Sequence, residues 1–184
     1  MLQVNLHPLP LLQTPRLTLR AITFDDSEAF FALRSSPEVM KYIDRPPAKT
    51  IEEVTAWIKV VQTQHEKNDG IMWGICLNGN RHPIGNICFW RLDKENHRAE
   101  IGYMLSPAYQ GLGIMQEAMN EVIKYAFEAM RMHSIEANVN PANQASINTL
   151  ERCGFVPEAY FRENYFSEGH FLDSAIYSLI TTIK

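Results

Sequence analysis

The spacing of apolar positions changes several times along the chain, and each change predicts an element. Arg16 to Ala21 alternates, with Leu17 and Leu19 on one side, and predicts a strand. A helix follows, starting at Thr23 or Asp25 and running to about Ser35, with Ala29, Phe30 and Leu33 as its apolar stripe. A short helix after Pro37 is expected, because proline suits a first helical turn. Thr50 with Glu53 forms a capping-box pattern ahead of Val54, Trp57, Ile58 and Val61, and that helix fades near Asp69-Gly70.

Three strand signals come next, over 71–77, 84–92 and 98–105. Asn78-Gly79-Asn80 lies between the first two, and the set predicts an antiparallel meander. From Ile114 the period becomes helical. Ala118, Val122, Ala126 and Met130, flanked by Met115, Met119, Ile123 and Phe127, make the broadest apolar stripe in the chain. Residues 134–139 read as a strand. Asn143 to Cys153 reads as a helix stopped by Gly154. Segments 155–165 and 171–180 read as two final strands, turning near Glu168-Gly169. The expected fold class is α/β: a mixed, mainly antiparallel sheet with helices on both faces, as a single domain over residues 1–184.

Composition narrows the function. Hydrophobic residues make up 46% and charged residues 21%, as in an ordinary soluble protein. The formal charge of -4 argues against nonspecific nucleic-acid binding. Cys76, Cys88 and Cys153 form no Cys-x-x-Cys pair, and an odd count suits a reducing compartment. The six histidines are scattered, so no metal is expected. Met1 to Leu12 lacks a basic leader and is broken by Pro8 and Pro10, and no apolar run spans a bilayer; the expected location is cytoplasmic, away from membranes.

The chemistry concentrates where a strand ending at Leu105 passes through Gln110-Gly111-Leu112-Gly113 into the long helix. A helix N-terminus offers unpaired N–H groups and partial positive charge, and glycines clear the approach for a phosphate. The loop lacks the Gly-Lys-Ser/Thr of a Walker sequence. It also lacks the third glycine of Gly-x-Gly-x-x-Gly, since Gln stands at 116. Its glycine spacing alone fits a pyrophosphate loop and a plain tight turn equally. In a second segment, Asn143 to Phe155, Asn143 is a natural cap, Ser146 and Asn148 occupy the first two helical turns, and Cys153 reads as packed.

Together, the two segments resemble the GNAT (Gcn5-related N-acetyltransferase) superfamily. The first four positions of Gln110-Gly111-Leu112-Gly113-Ile114-Met115 match its acetyl-CoA signature, Arg/Gln-x-x-Gly-x-Gly/Ala, and Met115 departs from it. Closer resemblance to the ribosomal-protein alanine N-acetyltransferases comes from Gln13-Thr14-Pro15-Arg16-Leu17-Thr18-Leu19-Arg20, Gln116-Glu117-Ala118, Asn143-Gln144-Ala145-Ser146 with Gly154-Phe155, and Phe171-Leu172-Asp173. The resemblance implies an acyl-CoA N-acyltransferase fold in which the fourth and fifth strands, here 98–105 and 134–139, splay apart around acetyl-CoA. It implies cofactor contacts from Met104, Leu105, Gln110, Gly111, Leu112, Gly113, Ile114, Met115, Asn143 and Asn148, with Met115 crowding the helix start.

The implied reaction moves the acetyl group of acetyl-CoA to a primary amine, foremost a protein N-terminal amine. A small-molecule amine acceptor and a non-catalytic acetyl-CoA sensor are the alternatives, and a homodimer is possible by analogy. The N–H near Met104 or Leu105 is expected to hold the oxyanion. Many family members place an acidic tyrosine seven residues after the asparagine; here that position is Leu150, so the resemblance moves the task to Ser146. Glu100, on one strand face with Gly102 and Met104, is the expected base. Glu163 and Tyr165 are weaker candidates for acceptor contacts, and Asp173 reads as structural. Residues 25–69 are expected to roof the acceptor site, with Phe30, Phe31, Met40, Tyr42 and Trp57 mainly as core.

Overall fold

A computed structural model describes residues 4–167 and 169–182. Eight strands form one sheet: β1 (Leu12–Gln13), β2 (Leu17–Ala21), β3 (Ile71–Leu77), β4 (Pro83–Asp93), β5 (Arg98–Leu105), β6 (Ser134–Val139), β7 (Val156–Ser167) and β8 (His170–Ile180), in the order β1-β2-β3-β4-β5-β6-β8-β7. Five α-helices accompany them among the described residues: α1 (Ser27–Arg34), α2 (Pro37–Met40), α3 (Ile51–Glu66), α4 (Ile114–Glu128) and α5 (Gln144–Arg152). The expected α/β architecture is present, and β1 is an addition to it. The turn expected near Glu168-Gly169 rests partly on Glu168, and the leader reading partly on residues 1–3; these lie outside the described residues.

Local chemistry explains the helix starts. Thr23 and Asp26 form a reciprocal capping box over a 3-10 turn, Phe24–Asp26, so α1 begins only at Ser27, later than its pattern suggests. Asp26 also takes the guanidinium of Arg20 in an ion pair of 2.7 Å. Ser36 caps α2, which carries Pro37 in its first turn, and Thr50 accepts from the Glu53 amide to cap α3.

The sheet separates two cores. On one face, α4 buries Ile114, Met115, Ala118, Met119, Val122 and Ala126 against Leu19, Trp73, Ile87 and Ile101, while α5 adds Ile147 and Leu150. Each large side chain so buried contributes about 1.5–3 kcal/mol. On the other face, Phe30, Leu33, Val54 and Ile58 of α1 and α3 pack with Ile22 and Met104. Phe30 and Met40 are buried, and Trp57 meets Phe30 edge to face while the Arg34 guanidinium lies over its ring. Much of the aromatic content of 25–69 is therefore core.

One break in the sheet matters most. β5 and β6 run parallel and pair only at Arg98↔Ser134, Ala99↔Ile135 and Glu100↔Glu136. Beyond Glu100, β5 continues on β4 as far as Gly85↔Leu105, and β6 continues on β8 as far as Val139↔Ala175. The two strands splay, leaving an unzipped backbone edge on β5.

Candidate active site

The edge has a defined polarity. Ser106 N donates to Ile84 O at 2.8 Å, and antiparallel alternation then directs the Met104 amide to Asn86 on β4. The Ile101 amide still serves the last β5–β6 pair, and the amides of Tyr103 and Leu105 face the splay. Of the two amides expected to hold an oxyanion, Met104 N–H is directed to β4 and Leu105 N–H is directed away from it. The Met104 side chain packs with α1 and α3, so Met104 is corrected to a core residue.

After β5 come a 3-10 turn (Pro107–Tyr109) and the glycine loop. Gly111 and Gly113 have φ of +72° and +73°, the left-handed region where a side chain is strained. A Cβ on Gly111 would meet open space, so the glycine is required there by backbone conformation. Gly113 is the N-cap of α4 and supplies no capping side chain, which leaves the first-turn amides facing outward. Gln110 folds back, its Nε2 donating to Leu105 O at 3.2 Å, while Leu112 is exposed. Ile114 and Met115 are buried in the α4 core. The helix turns both side chains inward, so it is the backbone at these two positions that borders the loop.

The loop is braced by side chains that no sequence pattern announced. Arg16 Nη1 donates to Leu112 O at 2.9 Å, and Arg16 Nε pairs with Glu117 Oε2 at 2.6 Å. Thr14 Oγ1 and the Arg16 amide both donate to Glu117 Oε1. Desolvation raises the Glu117 carboxyl but is outweighed by these donors, which hold it below its usual range. Two segments that looked separate, Thr14-Pro15-Arg16 and Glu117, are one network.

The proton-handling candidates lie on opposite faces. Glu100 is buried on the α1/α3 side, with Arg91 Nη1 3.7 Å from its carboxylate. Burial pushes its carboxyl above the ordinary value of 4.5, Arg91 pulls it down, and the neighbouring Glu136 raises it. Ser146 sits on the α4/α5 side. Its amide donates to Asn143 Oδ1 at 3.1 Å, so Asn143 is the helix cap. Its hydroxyl lies 2.7 Å from the phenol of Tyr103, which alternates with Glu100 on β5 and so projects to the other face. Asn148 is exposed, bonded to Gln144 Nε2, and about 200° around α5 from Ser146. The structure does not bring Asn148 to Ser146. Leu150 is fully buried. Burial pushes the Cys153 thiol up to about 11, in keeping with a packed rather than nucleophilic side chain.

The α1/α3 side also gathers polar groups around the mouth of the splay. Asn140, just past β6, donates to the Tyr165 hydroxyl at 3.5 Å, and the Tyr165 phenol is raised first by desolvation and then by the charge of Asp44, from the loop between α2 and α3. Partial desolvation raises the Asp44 carboxyl, opposed by the Tyr165 hydroxyl. The Cys88 thiol, beside Gly102, feels both Glu100 and Arg45, which places this loop over the same face. Tyr165 follows a bulge between Phe161 and Tyr165, where Glu163 has φ of +50° and its amide donates to Asp173 Oδ1 at 2.8 Å. Tyr160 donates to the other Asp173 oxygen. Asp173 is structural, the Glu163 side chain is exposed, and the bulge positions Tyr165.

A parallel strand pair that opens beside an uncapped, glycine-led helix defines an acyl-CoA-binding N-acyltransferase site. The family profile described as "Acetyltransferase (GNAT) domain" matches residues 16–156, and the chain belongs to the GNAT acetyltransferase family. It is 34% identical over 171 residues to the uncharacterized N-acetyltransferase YoaA of Bacillus subtilis (strain 168), covering 93% of this chain and 97% of that one. It is 23% identical over 158 residues to the spermidine N(1)-acetyltransferase of Vibrio cholerae, covering 86% of this chain and 89% of the relative. Among solved structures, RimL, a ribosomal L7/L12 alpha-N-protein acetyltransferase in complex with coenzyme A, superposes with a TM-score of 0.87 at 21% identity. That match covers 95% of this chain and 99% of the other. The protein is an acetyl-CoA-dependent N-acetyltransferase. Among the described residues, no group of three or more His, Cys, Asp or Glu could hold a metal ion, and no helix is long and apolar enough to cross a membrane.

Proposed function

We propose that the chain, as a single catalytic domain, acetylates a protein N-terminal amine. The observation that carries this reading is the placement of Glu100 and Ser146 on opposite faces of one splayed strand pair. Acetyl-CoA supplies a thioester carbonyl open to attack. Residues 110–113 and the first amides of α4 would hold its pyrophosphate, and the exposed edge of β5 would hold its extended arm, with the Leu105 amide donating to the carbonyl oxygen. Glu100 takes the proton that the amine loses. Ser146 offers a proton to the departing sulfur.

The acceptor class follows from the strength of the base. A carboxylate is weak even when burial raises it. An α-amine ionises near 7.7–8.0 and a lysine-type amine near 10.4, so freeing the α-amine costs about 3.5 kcal/mol less at neutral pH. The comparison with RimL supports the same class. A second reading, a polyamine or other small cationic amine, is favoured by Asp44 at the mouth and by the similarity to a spermidine acetyltransferase.

A thiol-release assay over peptides with free alanine or serine N-termini, spermidine and simple monoamines tests both. The proposal expects peptides to give the highest kcat/KM. Preference for spermidine by tenfold or more would transfer the assignment to the small-molecule reading.

A further inference from the structure

The phenol of Tyr103 has one hydrogen-bond partner among the described residues, the hydroxyl of Ser146 at 2.7 Å. Either oxygen could donate, and the surroundings decide which does. Tyr103 is half-buried between β5 and α5, and desolvation pushes its phenol up to about 12, with the Ser146 contact opposing that rise. It keeps its proton at any working pH, and a half-buried O–H needs an acceptor. Ser146 Oγ is that acceptor. A serine hydroxyl carries a single proton on a free rotor. Once its oxygen accepts from Tyr103, its own O–H must point elsewhere. Tyr103 stands on the stretch of β5 that has left β6, so this pair borders the splay directly.

We infer that Tyr103 is a positioning residue for Ser146: by donating to Oγ it fixes the hydroxyl rotor and aims the serine proton at the cofactor's sulfur. This rests on the Ser146 role proposed above. In the transfer, the amine lone pair forms the C–N bond, and the C–S pair leaves on sulfur. One proton lost by the amine balances the one that sulfur finally takes. Ser146 stabilises the sulfur by hydrogen bonding, and Tyr103 stays protonated throughout. The pair thus supplies an oriented neutral donor rather than a strong acid.

Two readouts test the inference on purified protein: steady-state transfer, and the ultraviolet thiolate band of bound CoA titrated against pH. Tyr103→Phe keeps the ring and removes only the hydroxyl. It should lower kcat about tenfold, with the acetyl-CoA KM within twofold. The double variant Tyr103→Phe/Ser146→Ala should fall no further than Ser146→Ala alone. A donor to the thiolate favours its ionised form, so the bound thiol should titrate about one pH unit higher in both single variants than in the wild type. If Ser146→Ala moves both readouts while Tyr103→Phe moves neither, the tyrosine role is overturned and the serine role stands. If Ser146→Ala leaves both unchanged, the serine reading fails and takes this inference with it.

Discussion

The two sides of the splay are built from different materials. On the proposed cofactor side, the groups on offer are mostly backbone: left-handed glycines at 111 and 113, the uncapped turn of α4, and the unpaired edge of β5. Side chains there, chiefly Arg16 and Glu117, brace the loop from behind. On the acceptor side, the polar groups are side chains brought in by distant segments: Asp44 from a loop, Glu100 from β5, Asn140 from the end of β6 and Tyr165 from a bulged strand. Backbone recognition suits a ligand that does not change. Side-chain recognition leaves the acceptor open to change without disturbing the cofactor.

Four substitutions sharpen or break this division. The largest effect should come from Glu100→Gln, which removes the base and lowers kcat about a hundredfold. Burial raises this carboxyl, so it picks up its proton at a higher pH than an ordinary glutamate. Wild-type activity should therefore fall as pH drops through that raised value, and the variant should lose this acid limb. A pH–rate profile checks it; an unmoved limb would assign the proton to another group. Next is Gly85→Ala, where a Cβ would lie 2.3 Å from Met104 O and 3.0 Å from Leu105 Cα. β4 would be forced away from the end of β5 at about 2–3 kcal/mol of stability, measurable by denaturant unfolding.

Arg16→Ala should raise the acetyl-CoA KM about five- to tenfold and leave the acceptor KM alone, because it loosens the loop and touches nothing across the splay. Equal change in both constants would collapse the distinction between the sides. The smallest effect should be Asp44→Asn, an exposed carboxylate worth at most about fivefold in KM. That loss should appear with a diamine and not with a monoamine of matched length. If both amines weaken equally, Asp44 shapes the mouth without reading charge.

The same contrast explains what could be read from sequence. Residues 105–115 form a strand end, a glycine turn and a helix start, which are local events, and the loop was legible for that reason; the splay, between strands some thirty residues apart, came only from the family resemblance. Contiguity did not reveal which way each group faces. Met104 and Leu105 are neighbours, yet ladder alternation sends one amide to β4 and the other to the splay. Ser146 and Asn148 share the first two turns of α5, yet helical rotation carries Asn148 to the far side of the helix. Tyr103 was invisible because its partner lies 43 residues away, across from β5 on another element. The acceptor mouth was least legible of all, since Asp44, Asn140 and Tyr165 meet only through the tertiary fold.

Calorimetric titration with acetyl-CoA, on the wild type and on Gly113→Val, tests the central claim most directly. The wild type should bind at one site per chain. The variant should bind at least tenfold more weakly, because a β-branched residue cannot readily hold φ of +73° at the N-cap of α4. Absence of acetyl-CoA binding by the wild type, or equal affinity in the two proteins, would contradict it.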